Sequence, residues 1–174
     1  VKQTINILLI VLLSITTAFG QSDATKANNK IKGIYVYQFA KNVDWPQKYK
    51  TGDFEIGILG DRVFYEQLKE SYTGKIIGSQ KIKVVFYKNT SEVKSPHLLY
   101  VSPYNKKIAI ELAKKLKKDK TLIIGEEEGL LSSGVIINFV AKNNRLAFEV
   151  SKTNAQKKNL IISQTLTRLA VDVL

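Results

Sequence analysis

No cysteine occurs among the 174 residues, so no disulfide can staple this chain and no thiolate can hold a metal. Histidine occurs once, at His97, too few for a zinc site in a chain without cysteine. There is no Gly-x-Ser-x-Gly elbow, so a nucleophile–histidine–acid arrangement would have to be built on His97 alone. The expectation for His97 is a structural role with its ring nitrogens satisfied. The glycine spacings of a dinucleotide fingerprint and of a P-loop are missing as well. Beyond the first 20 residues no apolar run is long enough to span a bilayer. These absences predict a protein that is not an enzyme, with no catalytic residues, no metal site and no cofactor.

What is present is an ordinary globular balance, 44% hydrophobic and 24% charged, on a strongly basic chain. Lysine and arginine outnumber the acids 27 to 15, for a net charge of +12. The lysines are scattered rather than gathered into one stripe with aromatics between them, so nucleic acid is not an expected partner. Residues 1–20 read as a cleaved secretory signal peptide: Lys2 is followed by an apolar run from Ile5 to Thr17, and Ala18-Phe19-Gly20 sets small residues before a cut at Gln21. The expected product is one periplasmic domain over residues 21–174, held by core packing alone.

Taken in order, Gln21 to Asn29 reads as a frayed terminus. A helix is predicted from Lys30 to Asn42 on the spacing of Ile31, Ile34, Tyr35, Phe39 and Val43, ending before Trp45-Pro46. Asp53 to Leu59 reads as a strand, Gly60-Asp61 as a turn, and Arg62 to Tyr72 as a helix capped by Asp61. The amides of that turn are a candidate seat for an anion. Lys81 to Tyr87 alternates as a half-buried strand, and Leu98 to Val101 reads as a strand buried on both faces. Ser102-Pro103 is expected to open a helix lined by Ile108, Leu112 and Leu116, with its lysines solvated. Thr121 to Gly125 is another short strand. Glu126-Glu127-Glu128 follows, but adjacent side chains diverge and no Ca²⁺-loop spacing is present. Ser151 is expected to cap a short helical turn, and Ser163 a last helix with Leu166, Leu169, Ala170 and Val173 as its apolar stripe.

Between these lies a hairpin, Gly134 to Ser151, turning at Asn143-Asn144, residues that tolerate positive φ. This register sets Ile137 opposite Val150, Phe139 opposite Phe148, Ala141 opposite Leu146 and Lys142 opposite Arg145. Those first six residues form an apolar face. The other face carries Asn138 opposite Glu149, a polar pair that could fix the register or meet a partner. The order of elements predicts an α/β fold: a single-domain, mixed, largely parallel sheet flanked by helices, with a C-terminal β-hairpin and final helix.

The run from Ile34 through Tyr37, Phe39 and Ala40 to Trp45-Pro46 resembles the opening of the YfiR-like periplasmic proteins. The similarity continues through Ile56 to Asp61, Phe64, Gly74-Lys75, His97 to Ser102, Gly129, Gly134, Ile136 to Phe139, Arg145, Phe148-Glu149 and the helix from Ser163. The resemblance implies an exported α/β domain without catalysis, often a homodimer. It implies a regulator that restrains the periplasmic part of an inner-membrane signalling protein, a diguanylate cyclase or sensor kinase, with an outer-membrane lipoprotein relieving the restraint. Phe39, Trp45, Asp61, Asn138, Arg145 and Glu149 are the residues it marks for partner or ligand binding. Relatives often carry cysteine before the histidine, where this chain has Pro96, so their redox control does not transfer. The alternative is a periplasmic sensor or carrier of a small anionic ligand, seated at Gly60-Asp61 or near Ser132-Ser133-Gly134.

Overall fold

The computed structural model describes residues 25–174, so the signal-peptide reading lies outside the described residues. The first element is helix α1, residues 25–42, which starts earlier than predicted and takes in the stretch expected to fray. Its phase also differs from the prediction. Ile31 and Ile34 are about half exposed, while Asn29, Lys32, Val36, Phe39 and Ala40 are buried. The buried stripe still has helical spacing, but one of its members is a lysine.

Strands β1 (Val43–Asp44) and β2 (Phe54–Leu59) come next, then α2 (Arg62–Tyr72) and the short β3 (Ile76–Ile77). Asp61 Oδ1 accepts from Phe64 N at 2.8 Å, the predicted cap, so α2 starts where the sequence places it. Then follow β4 (Gln80–Tyr87), β5 (Leu98–Val101), α3 (Lys106–Lys115) and β6 (Leu122–Gly125). Helix α3 begins three residues later than Ser102-Pro103 predicted. Ser102 is instead buried, its Oγ accepting from Asn105 Nδ2 at 2.8 Å across a turn that holds Tyr104 at a φ of 65°.

The chain closes with β7 (Ile137–Lys142), β8 (Arg145–Val150), α4 (Lys152–Lys157), β9 (Ile161–Ile162), α5 (Gln164–Leu169) and β10 (Asp172–Val173). Asn143 and Asn144 take φ of 51° and 57°, and the hairpin register is the predicted one at every pair. Its apolar face is less uniform than expected: Ala141 is exposed and Leu146 half-buried, because the turn reaches beyond the core. The last helix is shorter than predicted. It stops at Leu169, which is exposed, and Val173 lies in an edge strand parallel to β8.

The main sheet has the order β10-β8-β7-β6-β5-β2-β4-β3. The run β7-β6-β5-β2-β4 is parallel, and β8 and β3 are antiparallel to their neighbours. Alternation across the strands divides the core in two. Ile56, Ile58, Leu98, Tyr100, Ile124 and Phe139 meet α1 and α2 on one face, together with Ala155 and Leu166. Leu99, Val101, Ile123 and Val135 meet Ala109, Leu112 and Leu116 of α3 on the other. This is the predicted α/β architecture, a mixed, mostly parallel sheet with helices on both faces. No described helix is long and apolar enough to cross a membrane.

Candidate functional site

Open α/β sheets place ligand crevices at the carboxyl ends of their strands, where the winding reverses. Here the chain goes from β2 to β4 on one side and returns to β5 on the other, so the reversal lies between β2 and β5. That crevice is filled. Gly60, at a φ of 86°, packs so close to Ser102 Oγ that a side chain there would collide with it. The nearby α2 amide is taken by Asp61, and Ser132 Oγ donates to Gly129 O at 2.8 Å.

The open space lies over the ends of β6, β7 and β8. It is a groove of about 780 Å³ lined by Glu127, Glu128, Phe139, Arg145, Leu146 and Glu149, among others. Strand β6 ends at Gly125, where Leu130 Cδ1 leaves no room for a Cβ. The next residue, Glu126, turns inward. Its Oε2 accepts from Lys32 Nζ at 2.6 Å and from the Tyr100 hydroxyl at 2.5 Å. Lys32 is only 5% exposed, so this is a buried ion pair with a phenol as its third member. Burial raises the Tyr100 pKa, as do the charge and hydrogen bond of Glu126 and the charge of Asp61. Tyr100 therefore remains a hydrogen-bond donor to Glu126 rather than an acid or nucleophile.

Asn138 forms the second strut. It is wholly buried; its Oδ1 accepts from Glu127 N at 3.2 Å and its Nδ2 donates to Glu149 Oε2 at 3.3 Å. The amide thus fixes both the loop after β6 and the carboxylate on β8. Among the described residues none of Glu127, Glu128, Arg145 or Glu149 is in an ion pair. Glu126 is bonded to Lys32 and Tyr100 while Glu127 and Glu128 line the groove, and no group of His, Cys, Asp or Glu among the described residues is placed to hold a metal.

The structure brings Arg145 and Glu149 to the lining of this groove, buries Asn138 behind it, and sets Asp61 two strands away, close enough to act on Tyr100. Phe39 lies beneath the floor, fully buried, with its ring centroid 5.7 Å from that of Phe139 and 4.9 Å from that of Phe148. Trp45 is at the opposite end of the sheet. Its indole donates to Lys120 O at 2.8 Å, and its ring meets Phe54 edge-on at 5.0 Å. His97 is beside it, stacked on Phe54, with Nδ1 accepting from Glu55 N at 3.1 Å and Nε2 donating to Tyr49 O at 2.8 Å. Those two contacts require the tautomer that carries its proton on Nε2.

Sequence reasoning did not find Lys32, Tyr100 or Glu126. One signal was present: Lys32, Val36, Phe39 or Ala40, and Val43 share a helical spacing, which puts a charge on the buried stripe. A family model described as YfiR/HmsC-like matches residues 29–171. No curated protein matches the chain.

Proposed function

The chain belongs to the YfiR/HmsC-like family, and on that premise we propose that it is a periplasmic, non-catalytic regulator that restrains an inner-membrane signalling protein by direct contact. The restrained protein is a diguanylate cyclase or a sensor kinase, and the contact surface is the groove over β6, β7 and β8. The observation that carries the reading is the family match over residues 29–171. The groove supports it in kind. Phe139 and Leu146 from one face of the hairpin line it together with Arg145 and Glu149 from the other and with Glu127 and Glu128, the mixture of apolar and charged groups found at contact surfaces.

The chemistry of the groove argues for binding rather than turnover. Its one inward carboxylate, Glu126, is committed to Lys32 and Tyr100, and the lone histidine lies at the far end of the sheet. A second reading, a sensor of a small molecule, rests on the volume of about 780 Å³, which falls in the range of ligand sites. The carboxylates around it favour a cation over the anion expected from the sequence.

The test is crosslinking capture from envelope membranes with the mature domain, set beside Arg145→Ala and Glu149→Leu. The expected result is a membrane protein with a cyclase or kinase domain, recovered by the parent and about tenfold less by the variants, a loss of about 1.4 kcal/mol. Recovery of no such protein at any of several salt concentrations overturns the reading. A rise in melting temperature with a small organic cation, abolished in Glu149→Leu, favours the sensor instead.

A further inference from the structure

Among the described residues, the outer edge of strand β4 is left uncovered beyond Ile82. In a parallel ladder, alternate residues direct both backbone groups toward the same neighbour. Ile82 faces away from β2: its N–H donates to Lys75 O at 2.8 Å and its carbonyl accepts from Gly74 N at 2.9 Å. By the same alternation Val84 and Phe86 also face outward. Strand β3 pairs only with Gln80 and Lys81, and β2 occupies the other side of β4. The N–H and C=O groups of Val84 and Phe86 are therefore without a protein partner among the described residues. Just beyond, the Lys88 N–H is taken by Glu92 Oε2 at 2.9 Å, which closes the lane. What remains open runs from Lys83 to Tyr87, about 17 Å of strand.

The borders of this lane are basic. Lys81, Lys83, Lys88 and Lys94 are exposed, and the Arg62 guanidinium lies 5.1 Å from the Phe86 ring. The nearby acids are already engaged: Glu66 with Arg62 at 2.8 Å, Glu92 with Lys88 N, and Glu55 with the Tyr87 hydroxyl at 2.6 Å and Lys83 at 3.8 Å. A shallow groove of about 440 Å³, lined by Glu55, Lys83, Val85, Tyr87, Glu92 and Lys94, runs along the face opposite α2. A second copy of this chain would bring the same lysines against these. An acidic strand would find four open backbone groups and, along the lane, Lys81, Lys88 and Lys94, none of which is in an ion pair among the described residues.

We propose that the open edge of β4 takes up an extended acidic segment of a partner protein as an added strand. The main-chain bonds come from Val84 and Phe86, and selection comes from Lys81, Lys83 and Lys94. This surface is separate from the groove over β6 to β8, so it stands or falls independently of that site.

The probe is a blocked seven-residue peptide of alternating glutamate and valine, with its lysine–valine counterpart as control. Amide exchange is followed by NMR on the mature domain. At a peptide concentration ten times its measured Kd, exchange at Val84 and Phe86 is expected to slow about tenfold, and the lysine peptide is expected to leave it unchanged. Val84→Pro removes an outward donor that β2 does not use, and is expected to abolish the protection. If that variant does not fold, Lys81→Glu with Lys94→Glu, both at exposed positions, is expected to weaken peptide binding at least about tenfold at an unchanged melting temperature. Three results overturn the proposal: no protection at millimolar acidic peptide, equal protection by both peptides, or protection that rises with protein concentration alone.

Discussion

Replacing Glu126 with leucine isolates the energetic role of the buried triad. The change removes the only carboxylate among the described residues within ion-pair distance of the Lys32 ammonium, which is 5% exposed, and the acceptor of the Tyr100 hydroxyl. Breaking a buried ion pair from one side costs about 3–5 kcal/mol, because the surviving charge stays desolvated. The Glu126 side chain retains 19% exposure toward the groove, so water can reach the vacated place and the lower figure applies, about 3 kcal/mol. For a domain of this size that lowers the melting temperature by about 6–12 °C. Adding Lys32→Met should restore most of the loss, since an apolar pair in place of a buried ion pair is close to neutral. Urea unfolding followed by circular dichroism measures Glu126→Leu, Lys32→Met and the double variant, with an unchanged slope required for the comparison. The reasoning predicts a coupling of about 2–3 kcal/mol between the two positions. A loss below about 1 kcal/mol for Glu126→Leu, or a double variant equal to the sum of the singles, would refute it.

Two further outcomes follow from groups elsewhere in the fold. Burial lowers the Lys158 pKa from 10.5 to about 8, opposed by Asp119 and reinforced by Lys120, while its Nζ donates to Leu116 O and Asp119 O. Between those values the unfolded chain binds a proton that the folded one has lost. Stability should therefore rise from pH 8 toward 10 by on the order of 2 kcal/mol, a slope that urea melts of Lys158→Met should lack. Above pH 10 it should fall, because Tyr72, Tyr87 and Tyr100 have raised pKa values and keep their protons only while folded. His97→Ala orphans the Glu55 N–H, leaves the Tyr49 carbonyl with the Gln80 amide as its remaining donor, and removes a ring stacked 4.6 Å from Phe54. A loss of about 2 kcal/mol in urea unfolding is expected, with capture of the proposed membrane partner unchanged among the molecules that remain folded.

The hairpin was legible because two independent rules agree on it: Asn143-Asn144 fixes the turn, and period-two alternation then fixes every pair. Helix α2 was legible for a similar reason, with Asp61 at one end and Gly74 just past the other. The phase of α1 was misread because a hydrophobic count scores Ile31 and Ile34 as inward and Lys32 as outward. Only the distant partner Glu126, 94 residues away, makes the buried lysine tenable. Strands β1, β3, β9 and β10 have two residues each, too short for any period to register. The same limit extended the last helix through Val173. Of the site, Asn138 facing Glu149 was readable from the hairpin register. The groove was not, because it forms where the loop after β6 passes the hairpin and α1, and that meeting is tertiary.

The pairing of β1 with β9 has a consequence for the order of assembly. Val43 lies beside Ile162, and Ser163 N donates to Asn42 O at 3.0 Å, so the end of α1 is tied to a segment about 120 residues later. Its last turn also waits for Phe139 and Phe148, and its middle for Glu126. A chain made from its amino end therefore produces its first helix early and secures it late. At ordinary synthesis rates Val36, Phe39 and Ala40 spend on the order of ten seconds without the surface that finally covers them. Over that interval the apolar side of α1 is open to any chaperone that reads exposed hydrophobic surface, and closing the two-residue strands is the step that withdraws it.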